Sequence, residues 1–566
     1  MISFSFFITL MSALSTGLGF LLCHVLNSGL TVPIVYTSLS VAVALSLVLL
    51  KKQKECEDFK LPSWGIFESL ITACFLIFSL RQFGWIYFFR DGNILTLDAS
   101  NFGDLPLHLT YIAQLIRGVK PLFVNPIFPY EMLHYPIGVD LFTAYFVKLG
   151  MPLEQTLPIL GIILSACLAW ALLMWGRGFA VGAFLFSGGF AGFEILSTGV
   201  LKDYQAPLAW KNIFLTLLIP QRGFLLAFPM GLWLLWSWRQ KYFLNKKGLT
   251  LASEVALYSV MPLIHFHTFI FLSFFYALLL IFTKNLKTGV KLIFFSFIPA
   301  TFFTLKVTEN FKQASSLWIE SGWLMKDQNL VSFLLQNYGL FFPFTILAFY
   351  FSYIQKRKNA LLLLSSGLGI FLICCFVMFA PWDWDNTKIM VWCYLLILPV
   401  IDEIVIRPLS SRLAKGIVYG IFFFSGVISV WSSYGPSNRG FAVASIEELS
   451  GVCRALNKLD PLAIFAAFPT YGHPVSLCGG SIVAGYQGHL WSYGVKSEKT
   501  LTSLKTLMLG QEEYKLAADE LKIRFIFWGP REQKEYANSQ LPELLANKKI
   551  AEGNWGKIFD LLKESK

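Results

Sequence analysis

Charged residues are scarce in this 566-residue chain, at 14%. An ordinary soluble protein carries about a quarter, so a purely soluble fold is excluded. The nine cysteines include no CxxC pair and no zinc-finger spacing, so no thiol-based metal framework is predicted. No Gly-rich phosphate loop precedes a helix, which leaves no P-loop nucleotide site. No arginine-rich stripe interleaved with stacking aromatics exists, so nucleic acid is not an expected partner. No internal repeat is apparent. The first apolar segment, residues 2–23, lacks a basic flank and a small-residue cleavage site, and reads as a retained span rather than a removed signal peptide.

What is present is apolar. Hydrophobic residues make up 55% of the chain, the mean hydropathy is +0.60, and Phe alone occurs 55 times. A helix needs about 20 apolar residues to cross a bilayer. Candidate spans are 2–23, 31–50, 64–88, 156–175, 180–200, 223–238, 251–265, 268–283, 291–306, 331–354, 360–380, 388–402 and 416–433. That is about thirteen. Segments 251–265 and 268–283 nearly touch at His265–His267 and read either as two spans with a tight turn or as one broken helix.

The connections alternate in chemistry. Lys51–Lys60, Arg239–Gly248, Lys284–Lys291, Gln355–Lys358 and Arg407–Lys415 are basic turns, and basic turns stay in the cytoplasm. The net charge of +12 lies largely in them and reads as topology and contact with anionic lipid. The N-terminus is therefore expected inside, in a plasma or bacterial inner membrane. The loops rich in Asp, His, Trp and Pro then face outward, together with residues 434–566. That C-terminal stretch holds no span and reads as a small soluble α/β domain, with LAIFAAFP and IRFIFWG as buried strands and KTLTSLKTLML and QEEYKLAADEL as helices. Cys453 and Cys478 lie in it, and an oxidising compartment is compatible with a disulfide between them.

The residues able to do chemistry gather in the outward loops. The long one, 90–157, contains DLPLHLTYIAQLIRG, whose apolar spacing predicts an amphipathic helix along the membrane surface. Asp104 opens it, four residues before His108. Asp104 reads either as a helix cap or as a general base oriented by His108. An Asp/His set can also hold a divalent ion, though this spacing does not demand one. Asp98 lies just upstream. The segment PWDWDNTK packs Asp383, Asp385, Asn386 and Lys388 at the mouth of a span. It reads either as an interfacial Trp belt with solvated charges or as a binding site. Arg222, in IPQRG, abuts an apolar helix and needs an acidic or anionic partner. Arg222, Lys388, His265 and His267 together suit a lipid phosphate.

NFGDLPLHLTYIAQLIRG, followed by NPIFPYEMLHYPIGVDLFTA with His134 and Asp140, resembles the first large external loop of the GT-C superfamily. Its members are multi-spanning glycosyltransferases that use polyprenyl-phosphate-linked sugars, and QRG, HFH and WDNTK resemble elements of a bacterial branch. The resemblance implies a GT-C-like polytopic helical membrane domain at 1–433 and an outer-face domain at 434–566. It implies inverting, metal-independent transfer of a sugar from a polyprenyl-phosphate donor, with no cofactor. The acceptor is an unspecified glycan, lipid or protein. Asp104 would be the base, with His108 beside it. Arg222, His265, His267 and Lys388 would hold the donor phosphate. Asp98, His134, Asp140, Asp383, Asp385 and Asn386 would contact substrate. Two patterns are missing: an acid doublet, since Leu105 follows Asp104, and a WWDYG-type motif. The rival readings are a flippase or transporter of a lipid-linked glycan and a non-catalytic envelope-assembly protein.

Overall fold

A bilayer offers backbone N–H and C=O groups no solvent partner, so apolar runs of this length fold as helices. In a computed structural model of the protein, the described residues are 2–56, 64–201, 208–283, 286–309, 317–325, 328–380, 382–434 and 439–563. Helices α1 (Ile2–Val25), α2 (Val32–Cys56) and α3 (Ile66–Gly84) lead into a long connection. This holds the hairpin β1 (Phe88–Arg90) and β2 (Asn93–Thr96), then α4 (Asn101–Ile116) and α5 (Gly138–Lys148). The chain continues through α6 (Leu153–Leu185), a single turn α7 (Ile195–Thr198), α8 (Phe224–Trp238), α9 (Leu251–Ile264), α10 (Phe266–Thr283) and α11 (Leu286–Val307). Next come β3 (Trp318–Ile319), α12 (Leu330–Tyr338), α13 (Phe341–Ile354), α14 (Lys358–Phe376), β4 (Val377–Met378), α15 (Thr387–Ile401) and α16 (Arg412–Ser433).

Among the described residues nine helices are long and apolar enough to cross a membrane, or ten if α12 and α13, bent by 98°, form one span. The protein is thus a helical membrane protein, with fewer full-length candidates than the thirteen segments expected. Three of those segments are short. In the 180–200 segment the long helix ends at Leu185, leaving only short turns at Ala191–Thr198, and α6 breaks at Gly176–Arg177, where its backbone leaves helical geometry. Helices α8 and α9 have 15 and 14 residues. The ambiguity at His265 resolves as two helices folded back on each other, since the Tyr258 hydroxyl on α9 lies 2.7 Å from the Ser273 hydroxyl on α10.

Helix α8 is buried along its whole length, and α15 at every position but Lys388. A helix that is apolar all round belongs in the core of a bundle. On α15 the Trp392 indole donates to Thr268 Oγ1 at 2.8 Å. The basic turns meet at one end of the bundle. There Gln53 donates to the Gly248 carbonyl, Asn359 to the Phe243 carbonyl, and Arg407 pairs with Asp402 at 3.0 Å.

The C-terminal region packs on the opposite end. It comprises β5 (Phe441–Ser445), α17 (Ile446–Leu456), β6 (Ile464–Ala466), α18 (Pro474–Leu477), β7 (Ser481–Ile482), α19 (Gln487–Ser492), α20 (Glu498–Leu509), α21 (Tyr514–Glu520), β8 (Phe525–Trp528), α22 (Pro530–Glu535), β9 (Lys549–Gly553) and β10 (Gly556–Asp560). The expected strands and helices of this region are all found. Its sheet runs β7-β6-β8-β10-β9, with β6 parallel to β7 and β8. Cys453 and Cys478 are disulfide-bonded.

Two features join this region to the long loop. Strand β5 adds to the β1–β2 hairpin, pairing antiparallel with β2. Helix α4 is buried beneath it: Gln114 donates to Ser481 Oγ at 3.1 Å, and Arg117 donates to the carbonyls of Leu456, Leu459 and Gly479. The expected surface helix is therefore sandwiched, with every residue from Leu105 to Ile112 buried. Its amphipathic pattern was real, but its polar side faces protein rather than water.

Candidate functional site

Helix α4 starts at Asn101, a turn earlier than expected, because Asp98 Oδ1 accepts the Ser100 N–H at 2.8 Å and turns the chain into it. Asp104 thus lies inside the helix and does not cap it. Its Oδ2 accepts from Gln221 Nε2 at 2.9 Å. Gln221 belongs to the irregular stretch before α8, so this bond ties the long loop to the bundle.

Asp104 faces a cavity of about 440 Å³. Gln221, His265, His267, Asp385 and Lys388 line it from the bundle; His134 and Tyr135 come from the long loop; His489, Ser492 and Tyr493 come from the C-terminal region. Burial pushes the Asp104 carboxyl above the usual carboxylate range. His108, Lys388 and the Gln221 hydrogen bond hold the rise back, while the neighbouring Asp385 charge adds to it. Lys388 Nζ, in the first turn of α15, lies 2.8 Å from Asp385 Oδ1 in the turn before it. Burial also drives His489 down to about 4, with the His108 charge contributing, which keeps its imidazole neutral at pH 7.

The cavity has two chemistries. Ile270 and Phe274 of α10, Val307 of α11 and Leu317 form an apolar side, and Phe274 and Leu317 are exposed on the flank of the bundle. Asp104, Gln221, His267, Asp385 and Lys388 form the polar side. His134 bonds Glu309 through Nε2 at 2.8 Å. His265 Nδ1 accepts the Thr268 N–H at 3.2 Å and lies 2.8 Å from the Thr268 hydroxyl.

Several expected contacts lie elsewhere. Arg222 does not line the cavity. It is buried beside it, with Nε 3.3 Å from Asp140 Oδ1 and Nη2 donating to Thr143 Oγ1 at 2.8 Å. The other Asp140 oxygen lies 2.8 Å from His108 Nδ1. His108 and Asp140 are likewise off the cavity wall, so His108, Asp140, Arg222 and Thr143 form a buried network behind Asp104. A charge this deep is tolerated only when paired, and Asp140 supplies the pairing carboxylate. Asn386 is structural: its side chain accepts from the Phe379 N–H and donates to the Cys374 and Val377 carbonyls. Asp98 lies off the cavity wall, in the turn before α4. The side chain of Asp383 lies outside the described residues. Among the described residues, no group of three His, Cys, Asp or Glu side chains is arranged to hold a metal ion.

The cavity also contains residues the sequence reading did not select. Gln221 stands beside Arg222 in the motif that reading singled out, yet an amide carries no strong chemical signal. His489 and Tyr493 lie hundreds of residues from Asp104, and only the docking of the C-terminal region brings them in. Tyr135 and Tyr493 form an aromatic wall there, and Tyr111 packs behind them, its hydroxyl 2.9 Å from that of Tyr493. No protein-family model and no curated protein matches the sequence.

Proposed function

We propose that the protein is an integral-membrane glycosyltransferase that moves a sugar from a polyprenyl phosphate to an acceptor hydroxyl. The observation that carries this reading is the two-sided cavity. A carboxyl of raised pKa and a lysine line its polar side, and apolar residues lead from it to the flank of the bundle. A donor with a long hydrocarbon tail and a charged, sugar-bearing head needs both chemistries in one site. The resemblance of the Asp104 loop to GT-C loops adds to this.

In the proposed step Asp104 takes the acceptor proton. The acceptor oxygen then bonds to the anomeric carbon from the side opposite the phosphate. The bond from that carbon to the phosphate oxygen breaks, its electron pair leaves on the phosphate, and the sugar centre inverts. A raised carboxyl pKa makes a stronger base. Lys388, released from Asp385 as the donor enters, neutralises the departing phosphate, with His267 beside it. Arg222 acts through Asp140 and His108 to hold α4 and α5 in place.

The site is assigned to the outer face of the membrane. The basic turns gather at the opposite end of the bundle, where the positive-inside rule puts the cytoplasm. The Cys453–Cys478 disulfide favours an oxidising compartment for the C-terminal region. A flippase would place its charged groups at mid-depth; here they collect at one end.

The test is Asp104→Asn in proteoliposomes supplied with a polyprenyl-phosphate sugar. Asparagine keeps the shape and can still bond Gln221, but it accepts no proton. Sugar transfer should fall about a hundredfold or more, while Asp98→Asn, off the cavity wall, transfers normally. Full activity in Asp104→Asn would overturn the assignment.

A further inference from the structure

A second hollow, of about 810 Å³, opens where the start of α4 meets β5, α17, α22 and the loop Phe468–Pro474. Its wall carries Phe102, Tyr471 and Tyr486. These rings form a run. Phe102 and Tyr471 centroids are 5.0 Å apart at 82°, and Tyr471 and Tyr486 are 5.0 Å apart at 80°. Tyr486 then meets His489 at 5.3 Å and 84°. His489 lines the Asp104 cavity, and Phe102 lies two residues before Asp104 on α4. The aromatic run therefore connects this groove to the proposed site of transfer.

We propose that the groove binds a neutral oligosaccharide, and that this is the acceptor whose terminal sugar reaches Asp104. The inference rests on the transfer reading above and names its acceptor class. Sugar rings present C–H faces that stack on aromatic rings and hydroxyls that seek polar rims. The groove supplies both: Tyr486 is 42% exposed, and Glu448, Glu535, Arg531 and Lys534 stand around it. Acids and bases are mixed there, so the lining does not select an anion such as nucleic acid or a phosphate. A polypeptide binding by strand addition would need a free strand edge. The edge at β5 is occupied instead. A Cβ placed on Gly472 would lie 3.0 Å from the Val443 carbonyl oxygen, so the Phe468–Pro474 loop already packs on that backbone.

The experiment uses the full-length protein in nanodiscs and a panel of short neutral oligosaccharides, with binding read by saturation-transfer NMR. Wild type should bind members of the panel. Tyr471→Ala and Tyr486→Ala should weaken that binding about tenfold or more. Tyr486→Phe, which keeps the ring, should retain it, separating lost stacking from lost folding. Donor binding by polyprenyl-phosphate sugar is measured in parallel and should be unchanged in the tyrosine variants. Three outcomes would overturn the proposal: no oligosaccharide binds wild type, binding is indifferent to both tyrosines, or an extended peptide binds there instead. Because donor binding is scored separately, loss of the acceptor idea and loss of the transferase reading give different results.

Discussion

Arg222→Met separates a structural cation from a ligand-binding one. Asp140 is 2% exposed at its side chain and holds Arg222 on one oxygen and His108 on the other. Removing the guanidinium leaves a buried carboxylate with half its partners, and breaking a buried pair in this way costs about 3–5 kcal/mol. The low end applies, because His108 remains. An unfolding entropy of roughly 2 cal/mol/K per residue converts about 3 kcal/mol into a fall of about 2–3 °C for a chain of this length. The assay is the thermal midpoint of the purified protein alongside its affinity for a polyprenyl-phosphate sugar. Lys388→Met, on the cavity wall, should do the reverse, keeping the midpoint and weakening donor binding. Pairing Arg222→Met with Asp140→Asn should recover most of the lost stability, since neither charge is then left alone. If Arg222→Met keeps its midpoint and loses donor affinity as Lys388→Met does, Arg222 belongs to the donor site after all.

Two further outcomes follow from the site and the disulfide. The proposed mechanism needs the Asp104 carboxylate, and burial raises that group's pKa, so on that mechanism the rate should fall on the acid side at a pH above the ordinary carboxylate range. Asp385→Asn removes one of the charges that raise it and should shift that acid limb to lower pH; an unmoved limb, or an upward shift, contradicts the assignment. The Cys453–Cys478 bond spans a sequence separation of 25, and closing a loop of that size is worth about 3.5 kcal/mol by chain entropy. Replacing both cysteines with serine should destabilise the C-terminal region by that order, and thiol labelling of wild type from cells should reach these two cysteines only after reduction. Labelling without reductant would remove one support for placing the region outside.

The helices were legible because a bilayer admits only one way to satisfy a long apolar backbone, and the boundary errors have physical causes. Arg177 marks one of them: hydropathy averages over the Gly176–Arg177 break and cannot show that the helix beyond it stops at Leu185. Asp104 was legible as a residue of interest, since a carboxylate opening an amphipathic stretch is conspicuous, but its capping alternative fell to a turn built by Asp98 and Ser100 that no periodicity reveals. Arg222 shows the sharper limit. The sequence said that a cation at that depth needs an anion, and this was sound. It could not say that Asp140, 82 residues away, would supply the anion and that Arg222 would lie off the cavity wall. Asn386 failed for the related reason that an amide near acids looks like a ligand until its three backbone partners are seen. His489 and the Phe102–Tyr471–Tyr486 run were beyond reach, because they acquire meaning only when β5 joins the β1–β2 hairpin and seats the C-terminal region over α4. That strand pairing places residues more than three hundred positions from Asp104 within two ring contacts of its cavity, and it makes the C-terminal region part of the site rather than an appendage to it.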